Sequence, residues 1–190
     1  MPKIAKDAID IYFEHGIDQI NRRIFLYGDV DEDQIGQVIK GIFLLRSLNK
    51  EKSIEIYVGT LGGNIYEMFG LYDVIRNCDG KIITIGMGKV MSSGILILAA
   101  GDEKKAFRNT SFMMHEFSAY GDGEGASSQR VSLEHIDDLH KKWAECMEER
   151  TRIPVREWYK MLKSPDYFFD IDEAIDLKIV DEIIPEKEMV

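Results

Sequence analysis

Short runs of β-branched or aromatic residues alternate with longer helical patterns along most of this chain. The runs with strand composition are 23–27, 53–58, 81–85 and 111–114. Between them, residues 31–48 and 64–77 predict helices, and the first of these ranges places apolar side chains at spacings of roughly three and four. Strands that are separated by helices in this way indicate an α/β fold.

Acidic residues mark where two of these helices begin. Asp31 and Asp33 are alternative N-caps of the first helix. Near the C-terminal end, Asp170 is followed three residues later by Glu173, which predicts a capped short helix. We expect the last strand near residues 179–184.

A long helix is expected after Gly125. One stripe of its surface is apolar and the other faces are highly charged. The stripe consists of Val131, Ile136, Leu139, Trp143 and Met147. Such a stripe usually packs into a core, but a long helix can also present it to another subunit.

Length and composition favour one domain that spans residues 1–190. The chain is 45% apolar, enough to bury one sizeable core. Its four prolines are scattered, and no low-complexity or Pro/Gly-rich linker divides it. The net charge of −10 excludes the basic surface that binds a phosphate backbone, so we expect no nucleic-acid partner.

The same composition predicts a cytoplasmic protein with no membrane contact. The longest apolar run, residues 95–100, is far shorter than the roughly 20 residues of a spanning helix. The N-terminal residues lack the apolar stretch of a secretory signal. Cys78 and Cys146 are far apart in sequence, which argues against a disulfide framework and a thiolate metal site.

The segment 82–98 has the composition of a buried strand, a glycine-bearing turn at 86–88 and an apolar helix, with Ser92 and Ser93 at the junction. A serine at such a junction can be exposed while the next backbone N–H faces a developing anion. The match to a G-x-S-x-G elbow is partial, since Val90 replaces its first glycine. A serine pair at a helix start is more often an N-cap than a nucleophile, so both interpretations remain open.

A nucleophilic serine needs a base, and His115 is the best placed of the four histidines. It ends the apolar strand 111–114 just before the glycine-rich stretch 121–125, although a purely structural strand-end histidine would look the same. We expect His15, His135 and His140 to be solvated surface residues, because their surroundings are helical and charged. The orienting carboxylate cannot be selected from the 34 acidic residues by position alone.

Several strings of the chain together resemble the ClpP caseinolytic protease family, from about residue 10 to residue 185. The family's nucleophile motif Gly-Gln-Ala-Ala-Ser-Met-Gly is similar to residues 88–94, and its strand ending in histidine is similar to residues 111–115. Its aspartate-led Asp-Arg-Phe-Leu-Ser-Ala segment aligns with residues 166–171. Its glycine pair before a helix that contains Tyr-Asp matches Gly62 and Gly63.

The resemblance implies a role for each matched residue. Ser92 becomes the nucleophile, His115 the general base and Asp166 the acid that orients the imidazole. The backbone N–H groups of Gly63 and Ser93 become the oxyanion donors. The implied fold is a crotonase-like spiral of β-β-α units with a protruding handle helix, the handle covering about residues 117–151.

The resemblance also implies an assembly and a reaction. We expect a serine endopeptidase that hydrolyses unfolded polypeptides inside a heptameric ring or a stacked pair of such rings. The chain itself needs no cofactor and no metal, while ATP would be used by a separate AAA+ unfoldase. The few residues that precede the first matched helix predict shortened axial loops toward that partner.

Departures from the family pattern leave alternatives open. The family's Asn-Ser-Pro before the glycine pair is Gly59-Thr60-Leu61 here, and its Gln-Pro after the histidine is Glu116-Phe117. A serine–lysine dyad of the signal-peptide-peptidase type, with Lys89 or another lysine as base, is one rival. A crotonase-type acyl-CoA enzyme and a non-catalytic ring subunit are the others.

Overall fold

The computed structural model describes residues 6–117, 126–163 and 165–186. Its helices are α1 Lys6–His15, α2 Glu32–Leu48, α3 Ile65–Asn77, α4 Ser93–Ala99, α5 Ala126–Thr151, α6 Val155–Leu162 and α7 Ile171–Asp176. Its strands are β1 Ile17–Asp18, β2 Arg23–Tyr27, β3 Ile54–Thr60, β4 Ile82–Met91, β5 Glu103–Phe107, β6 Ser111–Met114, β7 Tyr167–Phe169 and β8 Glu182–Ile184.

One mixed sheet carries the fold, with the strand order β1-β2-β3-β4-β5-β8. The pairs β2–β3, β3–β4, β4–β5 and β5–β8 are parallel. Strand β6 runs parallel to the second half of β4, and β7 pairs antiparallel with β6. The predicted α/β class is therefore confirmed, and all four predicted strands are present.

The long strand β4 changes partners along its length. Residues Ile83–Gly86 pair with β5, whereas Lys89–Met91 pair with β6. The glycine-bearing turn predicted at 86–88 is therefore wrong: the chain stays extended through this region because a second partner strand takes over its hydrogen bonds. Gly88, at φ +66°, supplies the local adjustment. The chain reverses only after Met91.

Helix α4 lies at the centre of the core. Residues 93–99 are all buried, and the helix packs on β3, β4, α3 and α5. The C-terminal end of α4 is held by Arg150 of α5, whose guanidinium donates to Ala99 O at 2.9 Å and Gly101 O at 2.7 Å. A short apolar helix thus has a fixed position and direction behind the end of β4.

The N-caps largely follow the predictions. Asp31 caps α2, where its carboxylate accepts the Gln34 N–H at 2.8 Å, while Asp33 lies inside the first turn. Asp170 caps α7 as expected. The last strand is shorter than predicted and begins at Glu182, because residues 179 and 180 donate their N–H groups to Ala174 O and close the end of α7.

Helix α5 corresponds to most of the predicted handle. Of its apolar stripe, Leu139, Trp143 and Met147 are buried, Ile136 is half-buried and Val131 is 60% exposed. The second half of the helix therefore belongs to the core, and the first half extends away from it. The expected glycine-rich stretch 121–125 lies outside the described residues. None of the helices in the described ranges is both long and apolar enough to cross a membrane.

Candidate active site

Ser92 occupies the reversal between β4 and α4. Its backbone has φ +51° and ψ −121°, a sparsely populated conformation for a residue with a side chain, and such strain persists where the surroundings impose it. The Ser92 N–H donates to Met113 O of β6 at 2.7 Å, which holds the turn in place. The side-chain hydroxyl consequently points away from the helix and makes no capping hydrogen bond. Ser92 therefore occupies the N-cap position of α4, but its side chain does not cap the helix.

His115 lies directly after β6, on the strand adjacent to the end of β4. Because parallel neighbours end at the same edge of a sheet, Ser92 and His115 come together there, and Ser92 Oγ is 2.8 Å from His115 Nε2. The serine hydroxyl can donate this hydrogen bond when the imidazole proton is on Nδ1. A serine–histidine pair of this kind is the arrangement that activates a hydroxyl for nucleophilic attack.

Ser93 is excluded as the nucleophile by its burial. Its side chain is 1% exposed, and its hydroxyl donates to Gly63 O at 2.9 Å. This hydrogen bond ties the first turn of α4 to the glycine pair. The backbone N–H of Ser93 lies at the start of α4, directly after Ser92.

Gly62 and Gly63 pass close to Ser92. Gly62 has φ +105°, and a Cβ built on it would lie 2.6 Å from Ser92 Cβ. Gly63 has φ +150°, and a Cβ there would lie 2.4 Å from Val30 O. Within the described ranges, the N–H groups of Gly63 and Ser93 donate to no backbone carbonyl outside a helix or strand. Both are therefore free to bind an oxyanion next to Ser92.

A cleft of about 690 Å³ opens over this pair. Its walls come from the turn before α3, the first turn of α3, the segment after β6 and the exposed half of α5. The lining residues are Leu61, Gly63, Asn64, Ile65, Tyr66, Ser92, His115, Phe117, Ser132, His135 and Ile136. A cleft lined by apolar and polar side chains together suits a polypeptide or another partly apolar ligand.

The backbone of Asp166 lies near that of His115, because the strands next to these residues are paired, but within the described part of the chain no hydrogen bond joins the two side chains. The antiparallel register pairs Met114 with Tyr167, and a continuation of this register by one residue would bring His115 opposite Asp166. The Asp166 residue is exposed, and among the hydrogen bonds of the described residues none links its carboxylate to His115. The structure thus brings together Ser92 and His115 and leaves Asp166 at the adjacent position.

The prediction for the remaining histidines is wrong for one of them. His140 is fully buried, because it lies on the core-facing side of α5, where it stacks on Phe117 with ring centroids 4.7 Å apart. His135 is exposed as expected, yet it also lines the cleft and its Nε2 is 2.9 Å from Tyr66 Oη. Helical charge density alone did not reveal which face of α5 each histidine occupies.

Lys89, the base of the rival dyad, lies on β4 opposite Ser111 of β6. No lysine in the described part of the chain is hydrogen-bonded to Ser92 Oγ, whereas His115 is. The geometry therefore favours the histidine as the base.

A mixed α/β fold that brings a serine in a strained turn into hydrogen-bond contact with a histidine has an arrangement found in serine hydrolases. The comparisons with known proteins identify the family. The family described as Clp protease matches residues 12–187, and the chain belongs to that family. The similarity to curated proteins supports its assignment as a Clp-type serine protease subunit.

Two of these relatives are proteolytic subunits by name. The ATP-dependent Clp protease proteolytic subunit of Deinococcus radiodurans is 28% identical over 166 residues, which cover 86% of this chain and 80% of that protein. The ATP-dependent Clp protease proteolytic subunit 2 of Thermobifida fusca is 28% identical over 165 residues, with the same coverage. The chain is therefore a divergent member.

The close approach of Gly62 to Ser92 leads to a first prediction. Gly62→Ala should lower the free energy of unfolding by more than about 1 kcal/mol, because alanine at this positive φ is strained and its Cβ displaces Ser92. Reaction of Ser92 with a fluorophosphonate should slow in the same variant. Gly36→Ala in α2 is the control, since nothing lies within 4 Å of a Cβ there and it should be neutral or stabilising. Equal urea midpoints for the two variants would contradict the prediction.

Proposed function

We propose that this protein is a serine endopeptidase subunit that hydrolyses peptide bonds of unfolded polypeptides through Ser92, His115 and Asp166. The observation that carries the proposal is the 2.8 Å contact between Ser92 Oγ and His115 Nε2 at a strained turn beside two free N–H groups. Membership in the Clp protease family supports the same reaction.

In the proposed acylation step, His115 Nε2 takes the proton of Ser92 Oγ while the oxygen attacks the scissile carbonyl carbon. The carbonyl oxygen becomes an oxyanion and accepts hydrogen bonds from the N–H groups of Gly63 and Ser93. Each donor is worth about 3 kcal/mol of barrier, because it is already aimed at the charge that develops. The His115 imidazolium then gives its proton to the leaving amine.

In the deacylation step, water takes the place of the amine. His115 removes a proton from the water as it attacks the acyl carbon and then returns that proton to Ser92 Oγ. Asp166 is proposed to accept the Nδ1–H of His115, which fixes the tautomer and stabilises the imidazolium. Its backbone position opposite His115 supports this role, and a side-chain rotation from solvent toward the imidazole would complete the triad.

We further propose that the subunits assemble into a heptameric ring, single or stacked as two rings, in the cytoplasm. The exposed apolar side chains Val131 and Leu133 on the outer half of α5 support a contact between subunits there. A separate AAA+ unfoldase would use ATP to feed polypeptides into the chamber. Both relatives described above are named as subunits of an ATP-dependent protease, which supports that partnership.

The test is covalent labelling of the full-length protein. A fluorophosphonate should attach to Ser92, and peptide mass spectrometry should place the adduct on the peptide that contains this residue. Ser92→Ala should remove the label entirely. An adduct on Ser93, or no adduct on the assembled protein, would overturn the proposal.

Assembly is tested separately by light scattering. We expect a mass several times that of the 21.8 kDa chain. A stable monomer at micromolar concentration would contradict the ring while leaving the serine assignment open to the labelling test.

A further inference from the structure

The two residues after His115 differ from the family pattern in an informative way. Glu116 and Phe117 stand where that pattern has Gln-Pro. Each brings a group that its counterpart lacks, since proline has no backbone N–H and glutamine has no charge. In this structure the Phe117 N–H donates a hydrogen bond to a residue of α5, and the Glu116 carboxylate forms an ion pair with the residue at the end of α6.

The backbone N–H of Phe117 is held by His140 of α5. It donates to His140 Nε2 at 2.9 Å, and the two rings stack 4.7 Å apart with their planes 21° from parallel. Because Nε2 accepts this hydrogen bond, the imidazole is neutral with its proton on Nδ1. His140 is fully buried, so the hydrogen bond is shielded from water.

The side chain of Glu116 is held by Lys163 at the end of α6. The Lys163 Nζ lies 3.1 Å from Glu116 Oε1 and 3.1 Å from Asp137 Oδ1 of α5. Tyr159 of α6 donates its hydroxyl to the same Asp137 carboxylate. Lys163 is three residues before Asp166, so this ion pair links the segment after His115 with the segment that leads to the proposed orienting acid.

We propose that Glu116, Phe117, His140 and Lys163 form a latch that positions His115 against Ser92, with His140 as its principal positioning residue. The inference rests on the proposed function for its kinetic consequence, but the latch itself is a structural arrangement. The latch joins the end of β6 to the buried side of α5. A shift of α5 would therefore move Phe117 and, two residues before it, the imidazole of His115. None of its members touches the reacting atoms.

The latch responds to pH because a protonated His140 has no lone pair to accept the Phe117 N–H. The groups that face His140 are Lys163 and Tyr159 from α6, Glu116 from the segment after β6, and Asp137 from α5 itself. Burial first and Lys163 second lower the pKa of His140, and the two carboxylates oppose this shift. The neutral form is therefore favoured in the fold, and the stability it contributes is present above about pH 6.5 and is lost as the pH falls below that value.

Two variants of His140 separate its hydrogen bond from its volume. His140→Phe keeps an aromatic ring against Phe117 but removes the acceptor. His140→Gln retains an acceptor oxygen near the place of Nε2 and does not titrate. Glu116→Gln removes only the ion pair between residue 116 and Lys163, and the contact of Lys163 with Asp137 remains. The matched control is Lys141→Met, which loses its own 2.9 Å contact with Asp137 and does not touch residues 116 and 117.

The first measurement is hydrogen–deuterium exchange of the Phe117 amide in the full-length protein. We expect slow exchange in the wild type, in His140→Gln and in Lys141→Met, and exchange at least about tenfold faster in His140→Phe. This readout does not depend on activity. Equal protection of the Phe117 amide in His140→Phe would overturn the latch even if the protein is a peptidase.

The second measurement is the rate of fluorophosphonate labelling of Ser92 between about pH 5 and pH 8. At neutral pH, His140→Phe should react about tenfold more slowly, His140→Gln and Lys141→Met within about twofold of the wild type, and Glu116→Gln about threefold more slowly. The acid-side loss of rate should be less steep in His140→Gln, because glutamine does not titrate and its acceptor oxygen is retained at acid pH.

The outcomes distinguish the two proposals. An unlabelled wild type with the expected exchange pattern would refute the proposed function and leave the latch standing. Labelling rates in His140→Phe and Glu116→Gln that equal the wild type would overturn the positioning role. Should His140→Phe fail to fold, the pH profile of His140→Gln and the rate of Glu116→Gln decide the question, and a wild-type result in both would refute it.

Discussion

Ser92→Ala should lower the rate of peptide hydrolysis by about four orders of magnitude or more, and His115→Ala should lower it by a similar amount. The reason is that the 2.8 Å contact makes the two side chains one chemical unit, so that loss of either partner removes the activated oxygen. The double variant should be no slower than either single variant. The measurement is kcat/KM on a fluorogenic peptide, with each variant checked for its assembled mass.

Lys89→Ala is the control for this prediction. Lys89 lies on β4 and pairs with Ser111 in the sheet, away from the serine hydroxyl. Its removal should leave kcat/KM within about threefold of the wild type, since it takes part in no proton transfer. Loss of hydrolysis in Lys89→Ala with retention in His115→Ala would instead establish the serine–lysine dyad.

Trp158→Ala should lower the free energy of unfolding by about 3–5 kcal/mol. Trp158 of α6 is fully buried and meets Trp143 of α5 edge to face, with ring centroids 5.8 Å apart. Its indole N–H donates to Thr151 Oγ1 at 2.9 Å. Truncation leaves a large cavity between the two helices and removes the indole hydrogen bond, although the Thr151 hydroxyl still donates to Met147 O at 2.6 Å.

Trp158→Phe is the graded control, because it retains an aromatic ring and loses the indole hydrogen bond. We expect it to fall between the wild type and Trp158→Ala when urea unfolding is measured at one protomer concentration, which keeps any contribution from the proposed assembly constant. Identical midpoints for Trp158→Ala and the wild type would show that α6 packs differently from this structure.

Ser92 and His115, the proposed nucleophile and base, could both be named as candidates from the sequence, but for different reasons. Ser92 and Ser93 are adjacent and chemically identical, and only the family resemblance separated them before the fold was known. In the structure the two serines have different surroundings. Ser92 lies in the strained turn and its side chain is partly exposed, whereas Ser93 is buried and its hydroxyl donates a hydrogen bond to Gly63 O. His115 could be selected because strand ends are recognisable from composition.

Asp166 shows the limit of such reasoning. An acid can be placed opposite His115 only by the antiparallel register of β6 and β7, two strands separated by more than fifty residues of chain. Local spacing carries no information about that register. The exposed position of its carboxylate is likewise a property of the folded surface, and its role in orienting His115 stays a prediction.

The buried state of His140 has the same origin. Residues around it are charged, and a helical segment of this composition predicts a solvated face. Burial depended on Phe117, which arrives from the end of β6 and covers the imidazole. A contact between residues 23 positions apart on different elements is not encoded in the periodicity of either element.

The alternation of strands and helices, the cap at Asp170 and the strands near residues 23–27, 53–58 and 111–114 could be predicted from the sequence alone, because they depend on side-chain periodicity and on hydrogen bonds within a few residues. The choice of Asp31 over Asp33 as the cap of α2 and the strands β1, β5 and β7 could not be predicted in this way. The tertiary structure decided the exchange of partners along β4, the meeting of Ser92 with His115 and the burial of His140. These features depend on which strands lie side by side and on which face of α5 is covered. Both are consequences of how the whole core packs, and no local segment specifies them.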